Sequence, residues 1–531
     1  MKHLSKLAIM TICIIITALF TSACGGGGKS TPPSYPYYTD DSNLTLTDSL
    51  NADNIATADI FYSVDNIAKS SDEDQEILKA EPTANDKTKF KLPDNIDIAN
   101  VKIKAIITYD SEGNFLDYFS SYDGVIAENG IFNINFENEN GDFGGGTGTE
   151  ADPYLISQPR HFVNINKKDD QGTYLYLDKY FKQDKNLDFT HLTGLKIVKA
   201  EDDKDITIET TNEKAPFYNE GHGLTPIGEI DENYDEYYFA GTYEGNDKTI
   251  DGIMFVNTPK YQIGLFTGFD NVNIQNLTIG ENSIIFIDEN NENYSNDNLY
   301  LGVLVSYTNN STIKNCTNNA KIIVKNIEIT TNDLHYSYIN GIMACGEGII
   351  TNCTNNGNIT IDKGKFDCLY ANGIGGSLFS YSSDESATLD TCTNNGDITI
   401  TNNINSIIDD NLYLKVSGII SDIEDGEIKN CTNNGNIIVS NNSNLWLYSG
   451  GIIAMAYTVN ITSCTNKRNI IISNNTITNN TLDCYITAYG VAYITNNSNT
   501  KISGCTNEGT ITVTDNAEDY LIDQGELYNE D

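Results

Sequence analysis

The pentapeptide CTNNG stands at residues 353–357, again at 392–396 and again at 431–435. Weaker copies begin at Cys316 (CTNNA), Cys464 (CTNKR) and Cys505 (CTNEG). The six cysteines lie 37, 39, 39, 33 and 41 residues apart. A short β-branched run follows each one: KIIV, NITI, DITI, NIIV, NIII and TITV. Some 12 to 19 residues before each cysteine comes a glycine with an apolar neighbour: Gly302-Val303, Gly341-Ile342, Gly373-Ile374, Gly418-Ile419, Gly451-Ile452 and Gly490-Val491. Self-similarity at this period decides the architecture before any single residue does.

Each unit carries three short extended runs separated by polar turns. Wound once, three such runs make one coil of a parallel β-helix, paired with the coil below at about 4.8 Å. Like residues then stack on like, so the repeat preserves identity and not merely polarity. Cysteine is small, apolar and suited to the interior. Asparagine amides hydrogen-bond to the same amide above and below, as in stacked cross-β structures. Asn-Gly tolerates left-handed backbone, so the corner turn is assigned to it.

A unit of 39 residues exceeds one plain coil. The surplus falls between the NITI-type run and the next Gly-apolar step, where unit length varies. One coil per unit with a protruding loop at that corner is expected. Two coils per unit would set successive repeat cysteines nearly 10 Å apart. Helical repeats of this period need Ala/Leu-rich amphipathic helices, and the sequence has none. A propeller fits the period, but no closing strand signature accompanies it.

The chain has 531 residues, 74 acidic against 32 basic, and a formal net charge of -42. Arg160 and Arg468 are its two arginines. Such a chain is repelled by nucleic acid and by anionic lipid headgroups. The acidity reads as solubility, with attraction of divalent cations as the alternative.

Residues 1–24 read as an export signal: Lys2, His3 and Lys6, an apolar core over 7–20, then Thr21-Ser22-Ala23-Cys24. Small residues before a cysteine resemble the lipobox of bacterial lipoproteins. That resemblance implies lipidation at Cys24 and a lipid-anchored place in the cell envelope, expected at the outer-membrane surface. Thr21 departs from the usual Leu, and ordinary cleavage after Ala23 is the alternative. A lipoprotein cysteine carries several acyl chains, enough for stable anchoring. Residues 25–41, rich in Gly and then Pro, read as a flexible tether.

Residues 42–140 lack the repeat, and alternating stretches such as VKIKAIITYD (101–110) predict a small antiparallel β-sandwich. Residues 70–79 read as a short charged helix or loop. GGGTGTEADPYLIS (144–157) marks the boundary to a cap region over 144–260. There Ser157 is expected to cap a helix with Pro159 in its first turn, running through PRHFVNIN. TYLYLDKYFKQDKNLDFT (173–190) reads as strand material. The repeats span 261–515, and 516–531 read as an acidic C-terminal tail.

The order of GTGTEADPYLIS, YFKQDKNLDFT, TPIG (225–228), FAGTYEGNDKTIDGI (239–253) and IGLFTG (263–268) resembles the GLUG-motif surface proteins of bacteria. The resemblance covers residues 144–515. It implies a right-handed parallel β-helix on an exported, adhesin-like protein. Gly450-Gly451-Ile452-Ile453-Ala454 is the nearest copy of the degraded core motif. The family includes stretches of secreted IgA-cleaving metallopeptidases, but their H-E-x-x-H zinc site is missing here.

Chemistry is sparse elsewhere. No C-x-x-C, G-x-S-x-G or P-loop occurs. The ladder cysteines are expected to be free, buried thiols, because stacked parallel side chains make poor disulfide geometry. Cys345, Cys368 and Cys484 fall outside the ladder. Cys368 and Cys484 match His335, Tyr413 and Trp446 of other units, and a Cys345–Cys368 bridge stays open. His161, His191, His222 and His335 stand in no motif. DENYDE (231–236) opens like a calcium loop but has Glu236 for the turn glycine and Thr242 for the closing acid. Tyr234, Tyr237, Tyr238, Tyr243 and Tyr261 are either an exposed stacking cluster or coil filling. No catalytic residue, cofactor or metal site is assigned. The expected function is a non-catalytic adhesion, binding or surface-structural role toward a host or matrix protein or glycan. A carbohydrate-active β-helix enzyme, a polysaccharide lyase or hydrolase, is the alternative. Three carboxylates in one groove would favour the alternative.

Overall fold

The structure, a computed structural model, describes residues 42–528 except 65–74, 95–96, 139–140, 199–205, 231–234, 289–297, 330–334, 380–386, 403–412, 442–445, 475–483, 496–498 and 516–519. Cys24, the tether, residues 231–234 of the calcium-like loop and most of the variable loops expected between units lie outside the described residues.

The chain is all-β, and residues from about 154 onward wind into a parallel β-solenoid. Three stacks of strands form its walls. An isoleucine sheet runs from Met254–Val256 through Ile284–Asp288, Lys321–Lys325, Ile359–Phe366, Ile398–Asn402, Ile437–Asn441 and Ile470–Asn474 to Ile511–Asp515. A tyrosine sheet runs from Gln262–Ile263 through Leu299–Gly302, Tyr336–Asn340, Cys368–Asn372, Tyr413–Ser417, Trp446–Gly450 and Cys484–Tyr489 to Tyr520–Gly525. A longer sheet takes several short strands per coil and ends each turn with the Thr-Asn of the repeat. β-Branched residues stack in register: Ile359, Ile398, Ile437, Ile470 and Ile511 are successive partners. One continuous core runs from Phe143 to Ala492.

One coil per unit is what the register shows. Thr317, Thr354, Thr393, Thr432, Thr465 and Thr506 pair directly, each with the next. The asparagine after each threonine is buried through Asn466, and its amide donates to the next one up. The Nδ2–Oδ1 distances are 2.8 Å from Asn318 to Asn355, 2.8 Å to Asn394, 2.9 Å to Asn433, 2.8 Å to Asn466 and 2.7 Å to Asn507. The second amide hydrogen goes to the carbonyl two residues on, as from Asn394 to Gly396 at 2.9 Å. No donor is wasted, which a buried amide requires. The next asparagine forms an outer, exposed ladder of opposite polarity, Asn434 to Asn395 at 2.8 Å and Asn395 to Asn356 at 2.7 Å.

The corner glycine is not where the backbone turns left-handed. That residue is the one before each cysteine: Asn315, Asn352, Thr391, Asn430, Ser463 and Gly504, with φ between 51° and 63°. Gly396 is needed for closeness instead, since a Cβ there would lie 2.0 Å from the Gly357 carbonyl oxygen. The Gly-apolar step has a related cause. A Cβ on Gly373 would meet Asn394 Cγ at 2.3 Å, so the two motifs touch across the narrow coil interior. Gly302 is offset by one, pairing with Asn340.

The solenoid begins under a plug. The helix Pro159–Val163, continued by a 3-10 turn Asn164–Asn166, follows the expectation from PRHFVNIN. Its N-cap is Gln158 with no side-chain cap, whereas Ser157 gives its backbone N–H to His161 Nδ1 at 3.1 Å. Phe162 is fully buried and edge-on to Phe189, Tyr243 and Phe266 at 6.4, 5.9 and 6.0 Å. Such a cover keeps the first coil's core from water. Tyr180–Gln183 and Leu187–Asp188 supply the strands read in 173–190.

Residues 42–138 form two sheets around a separate core. One sheet is four-stranded and antiparallel, in the order Gln75–Ala80, Thr57–Val64, Val101–Tyr109, Phe115–Ile126. The other is three-stranded and joins Leu44–Thr47 in parallel to Phe132–Asn135, with Lys89–Phe90 antiparallel on its other side. Residues 75–80 are therefore a strand, not the short helix or loop expected, because edge pairing overrides their local polarity. This unit is fastened to the plug by Arg160. Its guanidinium bonds Asp117 at 3.0 Å, Asn138 and the Tyr118 carbonyl, and lies 4.6 Å over the Tyr118 ring. The C-terminal stretch also differs from expectation: Tyr520–Gly525 is the last strand of the tyrosine sheet, paired with Cys484–Tyr489.

Candidate functional site

Beyond the Gly-apolar step the coil turns a second corner, and its outer surface is concave. Two rows of side chains face each other across it. On the tyrosine sheet, Tyr300, Tyr338, Tyr370, Lys415, Tyr448 and Thr487 are in register. On the long sheet, Tyr307, Cys345, Ser377, Asp422, Met455 and Tyr493 are in register. The rows touch. Lys415 Nζ lies 2.9 and 2.8 Å from the two Asp422 carboxylate oxygens, and Tyr448 packs 5.7 Å from Tyr493. A Cβ on Gly376 would meet Tyr338 at 2.7 Å.

The tyrosines of the first row stack on each other. Tyr300 and Tyr338 are 5.4 Å apart and 6° from parallel, and Tyr338 and Tyr370 are 4.4 Å apart at 17°. Their faces are spent along the solenoid axis. Burial pushes the Tyr300 phenol up to about 12 and raises those of Tyr338, Tyr370 and Tyr413, so all stay neutral. Lys415 replaces a tyrosine in this row. It sits 5.1 Å from the Tyr370 ring centre and 4.8 Å from that of Tyr413, a cation held by two aromatic rings and one carboxylate. Burial raises the Asp422 carboxyl, and Lys415 opposes that shift.

At the rim of this corner opens a cleft of about 420 Å³, lined by Ser377, Phe379, Asp422, Glu424, Asp425 and Tyr457 with Ile423. Glu424 pairs in register with Tyr457, and Glu347 with Phe379. Tyr457 is 40% exposed, and its hydroxyl donates to Met455 sulfur at 2.6 Å. Asp425 is one of the left-handed residues, with φ 50°.

The residues singled out from sequence fall elsewhere. Cys316, Cys353, Cys392, Cys431 and Cys464 are free and buried, and Cys505 is free and half-buried. Each thiol points at the carbonyl two residues back, at 3.4 Å for Cys353 and Cys392. Burial raises the thiols of Cys353, Cys392 and Cys431 well above the usual range, which makes them poor nucleophiles. Cys345 and Cys368 lie on different sheets, and no disulfide joins them. Cys368 pairs with Tyr336 and Tyr413 rather than with His335. The side chain of Cys484 lies outside the described residues.

The histidines are not brought together. His161 and His191 are pushed down to about 4 by burial, and each has a buried Nε2 without a hydrogen-bond partner. His191 stacks on Phe61 at 4.5 Å. His222 Nδ1 lies 2.9 Å from the Val256 carbonyl. His335 Nδ1 is 3.7 Å from Asp367. The tyrosine cluster divides too: Tyr243 fills the first coil, Tyr238 packs on Tyr307, and Tyr237 is exposed. Among the described residues no group of three or more His, Cys, Asp or Glu is placed to hold a metal ion. No described helix is long and apolar enough to cross a membrane.

The groove was missed from sequence because its rows vary. Its signal lies in fixed offsets: the first row comes three residues before the glycine of the step, and the second four after it in most coils, as with Lys415, Gly418 and Asp422.

No family model matches the chain, and no curated protein matches it. Among solved structures, a Bacteroides ovatus protein described as a "putative immunoglobulin A1 protease" is similar at 14% identity and a TM-score of 0.40. The match covers 70% of this chain and 88% of that one. A likeness this distant carries no argument about activity.

Proposed function

We propose that the chain is an exported, lipid-anchored surface protein of the GLUG-motif kind, in which a right-handed parallel β-helix serves as a non-catalytic binding rod. A small β-sandwich-like domain at 42–140 and a tether at 25–41 stand between the rod and Cys24 at the outer membrane. The observation that carries the binding role is the concave corner. On a fixed scaffold the facing row changes from Cys345 to Ser377, Asp422 and Met455 on successive coils, and Glu424 and Tyr457 are exposed at the rim, as on solenoids that use variable positions for recognition. Two of its charges, Lys415 and Asp422, are locked to each other, so neither is placed to move a proton. The ligand class proposed is a host or matrix protein or a glycan.

One observation favours the second reading, a carbohydrate-active enzyme: Asp422, Glu424 and Asp425 line one cleft. Glycoside cleavage uses a pair of separated carboxylates. Glu424 and Asp425 are exposed, and Asp422 is engaged by Lys415. The deciding experiment is incubation of the purified chain with neutral and acidic polysaccharides. No release of reducing ends, together with retention on immobilised glycans or matrix proteins, is expected. Depolymerisation that Glu424→Gln abolishes would overturn the binding reading. For the anchor, Cys24→Ala is expected to move the protein from the membrane to the soluble fraction; unchanged membrane association would refute lipidation.

A further inference from the structure

We infer that the cleft beside Glu424 receives an arginine side chain offered by a basic protein segment. The inference rests on the binding reading above and names its partner's chemistry.

Phe379 and Tyr457 stand in the same row of the long sheet, two coils apart. Glu424, one residue beyond the Leu378–Ile423 pair, stands between them. Two strand spacings separate the rings by roughly 10 Å. A planar cation seated over the Glu424 carboxylate would have a ring on either side, and the cleft of about 420 Å³ has room for it and its stem. Glu424 and Asp425 are exposed at its mouth, and Asp422 lines its inner side. A guanidinium suits this lining better than an ammonium, because it stacks on aromatic faces and takes carboxylate oxygens in pairs.

The neighbouring coil surface already displays the chemistry. Lys415 lies against the rings of both Tyr370 and Tyr413 and is anchored on Asp422. With Asp422 occupied by Lys415, the carboxylates of Glu424 and Asp425 are available to an incoming cation. Complementarity points the same way at the scale of the chain. A molecule with 74 acidic and 32 basic residues draws basic partners and repels acidic ones. A partner that brings arginine supplies what this chain, with two arginines, scarcely has.

The test is titration of the purified full chain with three short peptides identical except for a central arginine, lysine or citrulline, followed by calorimetry and by Trp446 fluorescence. Citrulline keeps the shape of arginine and removes its charge. Arginine is expected to bind tightest, lysine weaker by roughly fivefold, and citrulline weaker by more than about tenfold. Glu424→Gln and Tyr457→Ala, both exposed positions, are each expected to weaken the arginine peptide by about tenfold with unchanged thermal unfolding. Glu508→Gln, exposed on another corner, is expected to leave it unchanged. Equal binding of the citrulline peptide would overturn the inference. So would wild-type affinity in both cleft variants, or preference for an amino-sugar oligomer over the arginine peptide. Retention on a glycan or matrix protein with no arginine binding would sink the inference and leave the binding reading standing. Polysaccharide cleavage would remove the reading itself.

Discussion

At the cysteine corner every coil repeats its neighbour. Asn355, Asn394 and Asn433 occupy one position, their amides 2.8 and 2.9 Å apart. At the concave corner the register places Tyr370, Lys415 and Tyr448 in one row and Ser377, Asp422 and Met455 in the facing one. The difference has a physical origin. A buried amide has one satisfactory partner at that spacing, another amide, so the first corner tolerates no variety. Side chains at the second corner pack against the residue across the groove, Lys415, Tyr448 and Met455 buried and Ser377 and Asp422 half-buried, and each need only fit its facing neighbour. Invariance marks the frame, and variation along a row marks positions the frame does not dictate.

The largest test of this contrast is Gly396→Val. Its Cβ would sit 2.0 Å from a backbone carbonyl that a stacked sheet cannot move, and a loss of about 4 kcal/mol or more in denaturant unfolding is expected. Asn394→Ala should come next. It orphans one Asn355 N–H, at about 1–3 kcal/mol, and takes from Asn433 Oδ1 one of its two donors, the Gly435 N–H at 3.2 Å remaining. An unfolding free energy unchanged in that variant would refute the frame role of the inner ladder. A smaller, localised effect is expected from acid. The folded state holds His161 and His191 near 4 against an ordinary 6.5, so it binds fewer protons than the unfolded chain between those values. Stability is fully present above about 6.5 and falls as pH drops toward 4. Hydrogen exchange at pH 5, corrected for intrinsic rate, should show lost protection around 154–192 before the cysteine corner. The smallest effect is Asn395→Ala on the exposed ladder, within about 0.5 kcal/mol of wild type. That contrast with Asn394→Ala would separate two asparagines the sequence writes side by side.

That pairing also marks how far the sequence could be read. CTNNG and the isoleucine runs stack in register because parallel coils repeat identity, so the solenoid, its single coil per unit and its buried thiols were legible. The division of labour between Asn394 and Asn395 was not, since side-chain direction depends on the strand's registration at the corner. The left-handed position escaped because Asn352, Thr391 and Ser463 share a backbone angle and no side chain. The Gly-apolar step showed plainly, but its cause, contact with an asparagine 14 to 21 residues later, exists only in the closed coil. Residues 75–80 and 520–525 were misjudged for one reason: their polarity is local, while strand pairing is not. The groove stayed hidden because rows whose side chains change along the solenoid leave no repeat to find.

The opposed polarity of the two asparagine ladders has a consequence for growth. Each coil is a unit cell of a one-dimensional crystal, with the same donor and acceptor on its upper and lower faces. Excising residues 392–430 would join Thr391 to Cys431, set Asn355 beneath Asn433 and keep the asparagine ladder continuous. It would also carry away Lys415, Asp422 and Glu424. A gene encoding such a lattice can gain or lose a whole cell by unequal exchange, and every such event changes what the groove displays while the frame closes as before.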